Sequence, residues 1–181
     1  MTSEPRVTVV GGGPTPFELS PHNCFACGTL NRHGLGLILH VERGRCWTDL
    51  SIERRFEGWL DIAHGGILCT VLDEVMAWAL VGQDDWGLTA RMSVTFRRPA
   101  EIDRPLHAEG RVTRSRRRLI ETAGQIVERH TGEIVATADG LYLVADQSRK
   151  RELRERYGVR AIGQSEPPGP VDGDGAQEHG A

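Results

Sequence analysis

The sequence is short of lysine and of long apolar runs, and each shortage bears on what the chain can be. Lys150 is the single lysine among 22 basic side chains, the rest being arginines. We read that skew as genomic base composition rather than chemistry. Set against 25 acidic groups it leaves a net charge of −3, so no overall field draws nucleic acid or an anionic membrane to the chain. Nowhere do about 18 apolar residues run together, as a membrane-spanning helix needs, and Met1 to Gly13 lacks the apolar core of a secretory signal. Without such a signal, Cys24, Cys27, Cys46 and Cys69 are expected to be reduced thiols in a cytoplasmic protein. There is no internal repeat. What is present is ordinary: 39% hydrophobic and 26% charged residues over 181 positions. That composition fits one globular domain with a sizeable core, and not two. It excludes collagen-like, coiled-coil and wholly disordered chains.

The chain divides by pattern. Residues 1–16 hold Gly11-Gly12-Gly13-Pro14 and Pro16 without periodicity, and are expected to be a flexible N-terminal arm. Residues 159–181 are Pro, Gly, Asp and Glu with almost no large apolar side chain, so a disordered tail is expected. Between them, 17–146 reads as the domain and 147–158 as a charged C-terminal helix. Leu35, Leu37, Leu39 and Val41 alternate, Gly44 turns the chain, and Cys46, Thr48, Leu50 and Ile52 alternate again, which predicts a hairpin. Arg54 to Ala63 is irregular. Then Ile67, Leu68, Val71, Leu72, Val75, Met76, Ala79 and Leu80 recur at helical spacing for four turns, with His64-Gly65-Gly66 at the start and Gly82 near the end. Four strands in meander-like succession follow: Met92–Phe96, Leu106–Val112, Leu119–Glu128 and Ile134–Val144. One long apolar helix needs a curved antiparallel sheet to cover it, so the fold class is α+β.

Chemistry concentrates on that helix. Asp73 lies about 130° from the centre of the apolar stripe on one flank, and Glu74 about as far round on the other. Gly66 precedes Asp73 by seven residues, within about 20° of its row. A carboxylate and the open N-terminal end of a helix therefore share one edge. The first N–H groups there have no intrahelical partner and sit at the positive end of the dipole, so they suit an oxyanion. A nearby carboxylate suits activation of water or direct attack. The plainer reading, a tight Gly-Gly turn and a solvated aspartate, stands beside it. For Glu74 we expect a surface or inter-subunit ion pair.

These residues resemble a family. His64-Gly65-Gly66-Ile67 followed by Leu72-Asp73-Glu74 is similar to the HGG…(L)D(E) signature of hotdog-fold acyl-CoA thioesterases of the PaaI-like type, long-chain acyl-CoA members included. The likeness extends upstream through Cys24-Phe25-Ala26-Cys27-Gly28, Asn31-Arg32-His33-Gly34-Leu35-Gly36-Leu37 and Phe56-Glu57-Gly58-Trp59. Downstream it takes in Thr89 to Pro99, a strand ending in Arg98-Pro99, so that roughly residues 22–146 are covered. The resemblance implies a hotdog fold, with the curved sheet wrapped around one central helix. It implies hydrolysis of acyl-CoA to free acid and CoA without metal or cofactor. Asp73 would be base or nucleophile, Gly65 or Gly66 N–H would polarise the carbonyl, and His64 would shape the site. Thr89, sixteen residues beyond the carboxylate, would hold water or substrate, in place of the threonine that other members carry where this chain has Ala77. The family's site forms between subunits, so a homodimer or homotetramer is implied, with Thr89 able to act on a partner's Asp73.

Competing signals are weaker. Cys24 and Cys27, with His22 and either His33 or Cys46, have zinc-ligand chemistry, but a second CxxC or HxxxH pair is missing, and a tight turn closed by Gly28 is expected instead. Arg97, Arg98, Arg116 and Arg117 are the candidates for CoA phosphates, since guanidinium forks suit them; solvated hairpin tips would explain the last two as well. Asp103 and His107 lack the spacing of a hotdog hydratase. The alternative to an enzyme is a non-catalytic hotdog module that binds acyl-CoA as a sensor.

Overall fold

The apolar stripe beginning at Ile67 forms one long helix in the computed structural model, which describes residues 8–10, 17–158 and 160–161. In chain order the elements are β1 (Thr8–Val10), β2 (Phe17–Leu19), β3 (His40–Glu42), β4 (Arg45–Ser51), a 3₁₀ turn (Arg54–Phe56), β5 (Glu57–Trp59), β6 (Ile62–Ala63) and α1 (Gly65–Val81). Then follow β7 (Gly87–Phe96), β8 (Pro105–Arg116), β9 (Leu119–Glu128), β10 (Ile134–Val144), α2 (Gln147–Arg156) and β11 (Arg160–Ala161). Six strands form one antiparallel sheet in the order β3-β4-β8-β9-β10-β7. This is the expected α+β hotdog architecture, a curved sheet wrapped around α1.

The helix holds the sheet through its apolar face. Val71, Leu72, Val75, Met76 and Ala79 are fully buried; each larger one contributes about 1.5–3 kcal/mol by leaving water. The sheet answers with inward-facing Leu106, Ala108, Ile120, Ile126, Ala138 and Tyr142. It approaches closely at Gly110, where an added Cβ would sit 2.5 Å from the backbone carbonyl of Val75. Gly82 closes the helix where the chain passes so near the Glu42 carbonyl that no Cβ fits.

Two elements depart from the sequence reading. The four last strands are not a simple meander: β8, β9 and β10 are, but β7 crosses to the far side and pairs with β10. Strand pairing depends on where the helix delivers the chain, which no local pattern records. And of the first expected strand, only His40–Glu42 joins the sheet. Leu37 and Leu39 are buried in alternation as predicted, but the backbone there is tied to the 22–28 loop instead, Leu35 N–H bonding Phe25 O at 2.8 Å and Leu37 N–H bonding Ala26 O at 2.9 Å. The arm and tail expected for 1–16 and 159–181 lie outside the described residues, except Thr8–Val10 and Arg160–Ala161, whose backbones join β2 in a three-stranded sheet.

Candidate active site

Asp73 is the centre of the site. Its Oδ1 accepts hydrogen bonds from Thr89 Oγ1 at 2.7 Å and from the Tyr142 hydroxyl at 2.9 Å. The two donors come from neighbouring strands and are direct cross-strand partners, Tyr142↔Thr89. Their meeting depends on a register slip. On β7, Met92, Val94 and Phe96 share one face, and strict alternation would put Ala90 on it and Thr89 on the other. Between Leu141 and Tyr142 the pairing jumps from Arg91 to Thr89, so Ala90 is an extra residue and Thr89 joins the helix side. Bulges re-aim side chains in this way. The contact lies within one chain, so Thr89 needs no partner subunit to reach Asp73.

Tyr142 is a partner of Asp73 that sequence reasoning missed. It is fully buried, and its OH also lies 3.2 Å from the Asp73 backbone oxygen. Burial and the adjacent Asp73 charge push its hydroxyl well above the usual phenol range, so it stays a donor. The signal available was a tyrosine in an otherwise apolar strand, because a buried tyrosine needs a partner for its OH.

At the other end of α1, His64 is the N-cap and its Nδ1 accepts the Gly66 N–H at 3.0 Å. The Ile67 N–H bonds the His64 carbonyl at 2.9 Å. Of the two glycine donors expected to face an acyl oxygen, Gly66 is thus engaged. Among the described residues nothing accepts from the Gly65 N–H. Gly65 faces the Phe96 ring, 3.4 Å from where a Cβ would stand. It also lines a cleft of about 370 Å³ with Ile62, Leu68, Phe96, Arg97 and Arg98.

Distances within one helix revise the geometry read from sequence. Seven or eight residues between Gly66 or Gly65 and Asp73 amount to about 10–12 Å along the axis. A carbonyl within about 3 Å of both groups cannot span that. The arginines separate likewise. Arg97 and Arg98 flank the helix N-terminus, Arg98 being paired with Glu133 at 2.8 Å. Arg116 and Arg117 lie at the β8–β9 tip, where Ser115 bonds Gln83 beyond the helix C-terminus, about 26 Å away along a 17-residue helix.

Glu74 makes no ion pair with a described residue. It turns inward against the 22–28 loop, its Oε1 accepting from Trp78 Nε1 at 2.8 Å with Cys24 Sγ at 3.9 Å. Burial, with the neighbouring Cys24 thiol adding to it, pushes its carboxyl up to about 7.

A curved antiparallel sheet wrapped around one long helix, with a carboxylate on that helix held by two hydroxyls, defines a hotdog-fold protein. Residues 60–135 match the model of the thioesterase superfamily. Among solved structures, the chain is similar to a thioesterase superfamily protein at 24% identity and TM-score 0.63, over 67% of this chain and 60% of that one. It is also similar to the E. coli PaaI protein from the phenylacetic acid degradation operon, at 19% identity and TM-score 0.59, over 62% and 81% of the two chains. A third is a Streptococcus mutans protein bound to acetyl CoA, at 17% identity and TM-score 0.56, over 58% and 84%. The chain thus spans 60% of the length of the first of these structures. No curated protein matches the sequence. The match to the thioesterase superfamily model thus covers residues 60–135, and the hotdog fold is the one these structures share. No helix of the described residues is long and apolar enough to cross a membrane.

Proposed function

We propose that the protein hydrolyses acyl-CoA thioesters to a free acid and CoA. The observation that carries this reading is the Asp73 carboxylate, with Oδ1 pinned by Thr89 and Tyr142 and Oδ2 left to act on the thioester, through water or by direct attack. Water supplies the new acyl oxygen, either at once or by opening the anhydride that direct attack forms on Asp73; the C–S bond breaks, and the proton from that water passes to the CoA sulfur. The Gly65 N–H, at the positive end of α1, polarises the carbonyl. No metal or cofactor is needed.

Because Gly65 and Asp73 of one chain are too far apart for one carbonyl, the site is completed by a second copy. The outer edge of β7 has no partner among the described residues, and Leu88 and Phe96 on that strand are exposed. Pairing two β7 edges antiparallel about Met92 sets Thr89 of one chain across from Thr95 of the other. That brings one chain's Asp73 toward the other's Phe96 and Gly65. Arg97 then serves the CoA phosphates at the mouth of the same cleft.

An acyl-CoA panel read by thiol release tests the reading: steady turnover of at least one acyl-CoA supports it. Binding without turnover would identify a sensor module instead. Thr89→Val, which keeps the side-chain shape and removes the hydroxyl, is expected to lower kcat about tenfold, as loss of a hydrogen bond to a charged group does. The unfolding midpoint should hardly move. An unchanged kcat would remove Thr89 from the site.

A further inference from the structure

The flank of α1 opposite Asp73 carries a side-chain cluster that the hydrolysis does not use. Cys24 Sγ lies 3.9 Å from each Glu74 carboxylate oxygen, and the donor atoms of Cys24, Cys27 and Glu74 all fall within 4.8 Å of one another. His22 stands outside that trio, reaching it through Cys27 alone, with Nε2 3.4 Å from Cys27 Sγ. We infer that His22, Cys24, Cys27 and Glu74 hold a Zn²⁺ ion in tetrahedral coordination.

The spacing suits the ion. With Zn–S near 2.3 Å and Zn–N or Zn–O near 2.0–2.1 Å, tetrahedral ligands stand about 3.3–3.8 Å apart. The 3.4 Å contact falls within that range and the 3.9 Å contacts lie just above it. The donor chemistry agrees: two thiols select zinc over magnesium or calcium.

The surroundings are those of ligands held in place. His22 Nδ1 bonds the Ser20 carbonyl at 3.1 Å; a carbonyl can only accept, so the ring proton sits on Nδ1 and the Nε2 lone pair faces the cluster. The Cys24 sulfur accepts from the backbone N–H groups of Ala26 and Cys27. The loop is tightened by Gly28 N–H on Cys24 O at 3.0 Å and Leu30 N–H on His22 O at 3.1 Å, and no Cβ fits at Gly28 against the Cys24 and His22 backbone. Aromatic rings border the group: Tyr157 meets His22 edge-on at 5.4 Å, Trp86 lies tilted against Tyr157 at 5.8 Å, and Trp78 bonds Glu74.

Four protein ligands leave no open position, so the ion is structural. It clips the 22–28 loop to α1 at the residue next to Asp73. The pattern was half-visible in the sequence; the fourth ligand is Glu74, not His33 or Cys46, and it comes from fifty residues away in the chain.

The test is metal analysis of the full-length protein, purified without chelator. One zinc per chain is expected, removable by a strong chelator with a fall of several degrees in the unfolding midpoint, and restored by Zn²⁺ alone. Co²⁺ in its place should give the intense visible bands of a tetrahedral site and a thiolate charge-transfer band in the near ultraviolet. Cys24→Ser and Glu74→Gln should each weaken zinc binding about a hundredfold or more, while Cys69→Ser, on the same helix, leaves it unchanged. Because wild-type stoichiometry and the Co²⁺ spectrum need no variant, poor folding of a mutant does not blunt the test. A reduced wild-type chain that takes up neither ion overturns the assignment, whether or not Cys24 and Cys27 then form a disulfide. Zinc retained equally by Cys24→Ser and Glu74→Gln also overturns it.

Discussion

Asp73→Asn should abolish nearly all acyl-CoA turnover, by about 10³-fold, the scale of a lost acid–base group. The substitution is nearly isosteric. Its amide oxygen still accepts from Thr89 and Tyr142, which now bond Oδ1 at 2.7 and 2.9 Å, so the side chain stays in place. What is lost is the ability to take a proton or attack a carbonyl. Asparagine and aspartate have similar helix propensities, and the two hydrogen bonds only weaken from charge-assisted to neutral, a change of about 1 kcal/mol. The expected result is therefore a protein with near-normal unfolding and acyl-CoA binding and almost no thiol release. Retention of most of the activity would show that the carboxylate is a structural acceptor for Tyr142 and nothing more.

The largest stability effect is expected at Gly110. It faces α1 from β8, paired with Cys46 on one side and Gly124 on the other. Alanine there is favoured by the backbone, since glycine in a strand costs about 0.5–1 kcal/mol relative to alanine. The new methyl, however, would lie 2.5 Å from the Val75 carbonyl and 2.6 Å from the Met76 nitrogen. Those atoms are helix backbone and cannot rotate away. The helix must lift from the sheet, loosening Val71, Leu72, Val75 and Met76, all fully buried. We expect Gly110→Ala to cost about 3 kcal/mol, the upper range for overpacking, read as a lower urea midpoint with an unchanged slope. A neutral or stabilised variant would mean that helix and sheet are not held at this distance in solution.

The parts of the molecule legible in the sequence are those set by local periodicity. The stripe from Ile67 to Leu80, bounded by His64-Gly65-Gly66 and Gly82, predicts a helix that the structure runs from Gly65 to Val81. The strands read at Leu119–Glu128 and Ile134–Val144 have those bounds. Asp73 was found because it interrupts an apolar helix on a flank. Tyr142 was not, because its role depends on lying opposite Thr89 rather than on any spacing along the chain. The setting of Glu74 is not legible either, since nothing near it in the chain reveals the 22–28 loop that packs against it.

Composition, the helical stripe and the alternating strands by themselves determined one α+β domain and put a carboxylate on the flank of its helix. Hydrophobic periodicity suffices for that, because it states which face of each element must leave water. The tertiary structure alone decided the rest: that β7 pairs with β10, that a one-residue slip at Ala90 turns Thr89 toward Asp73, that Tyr142 completes the pair of donors, and that Cys24, Cys27, His22 and Glu74 converge. Each is a contact between residues distant in the chain. Their energies depend on register and on the path the chain takes between elements, and no window of sequence carries either.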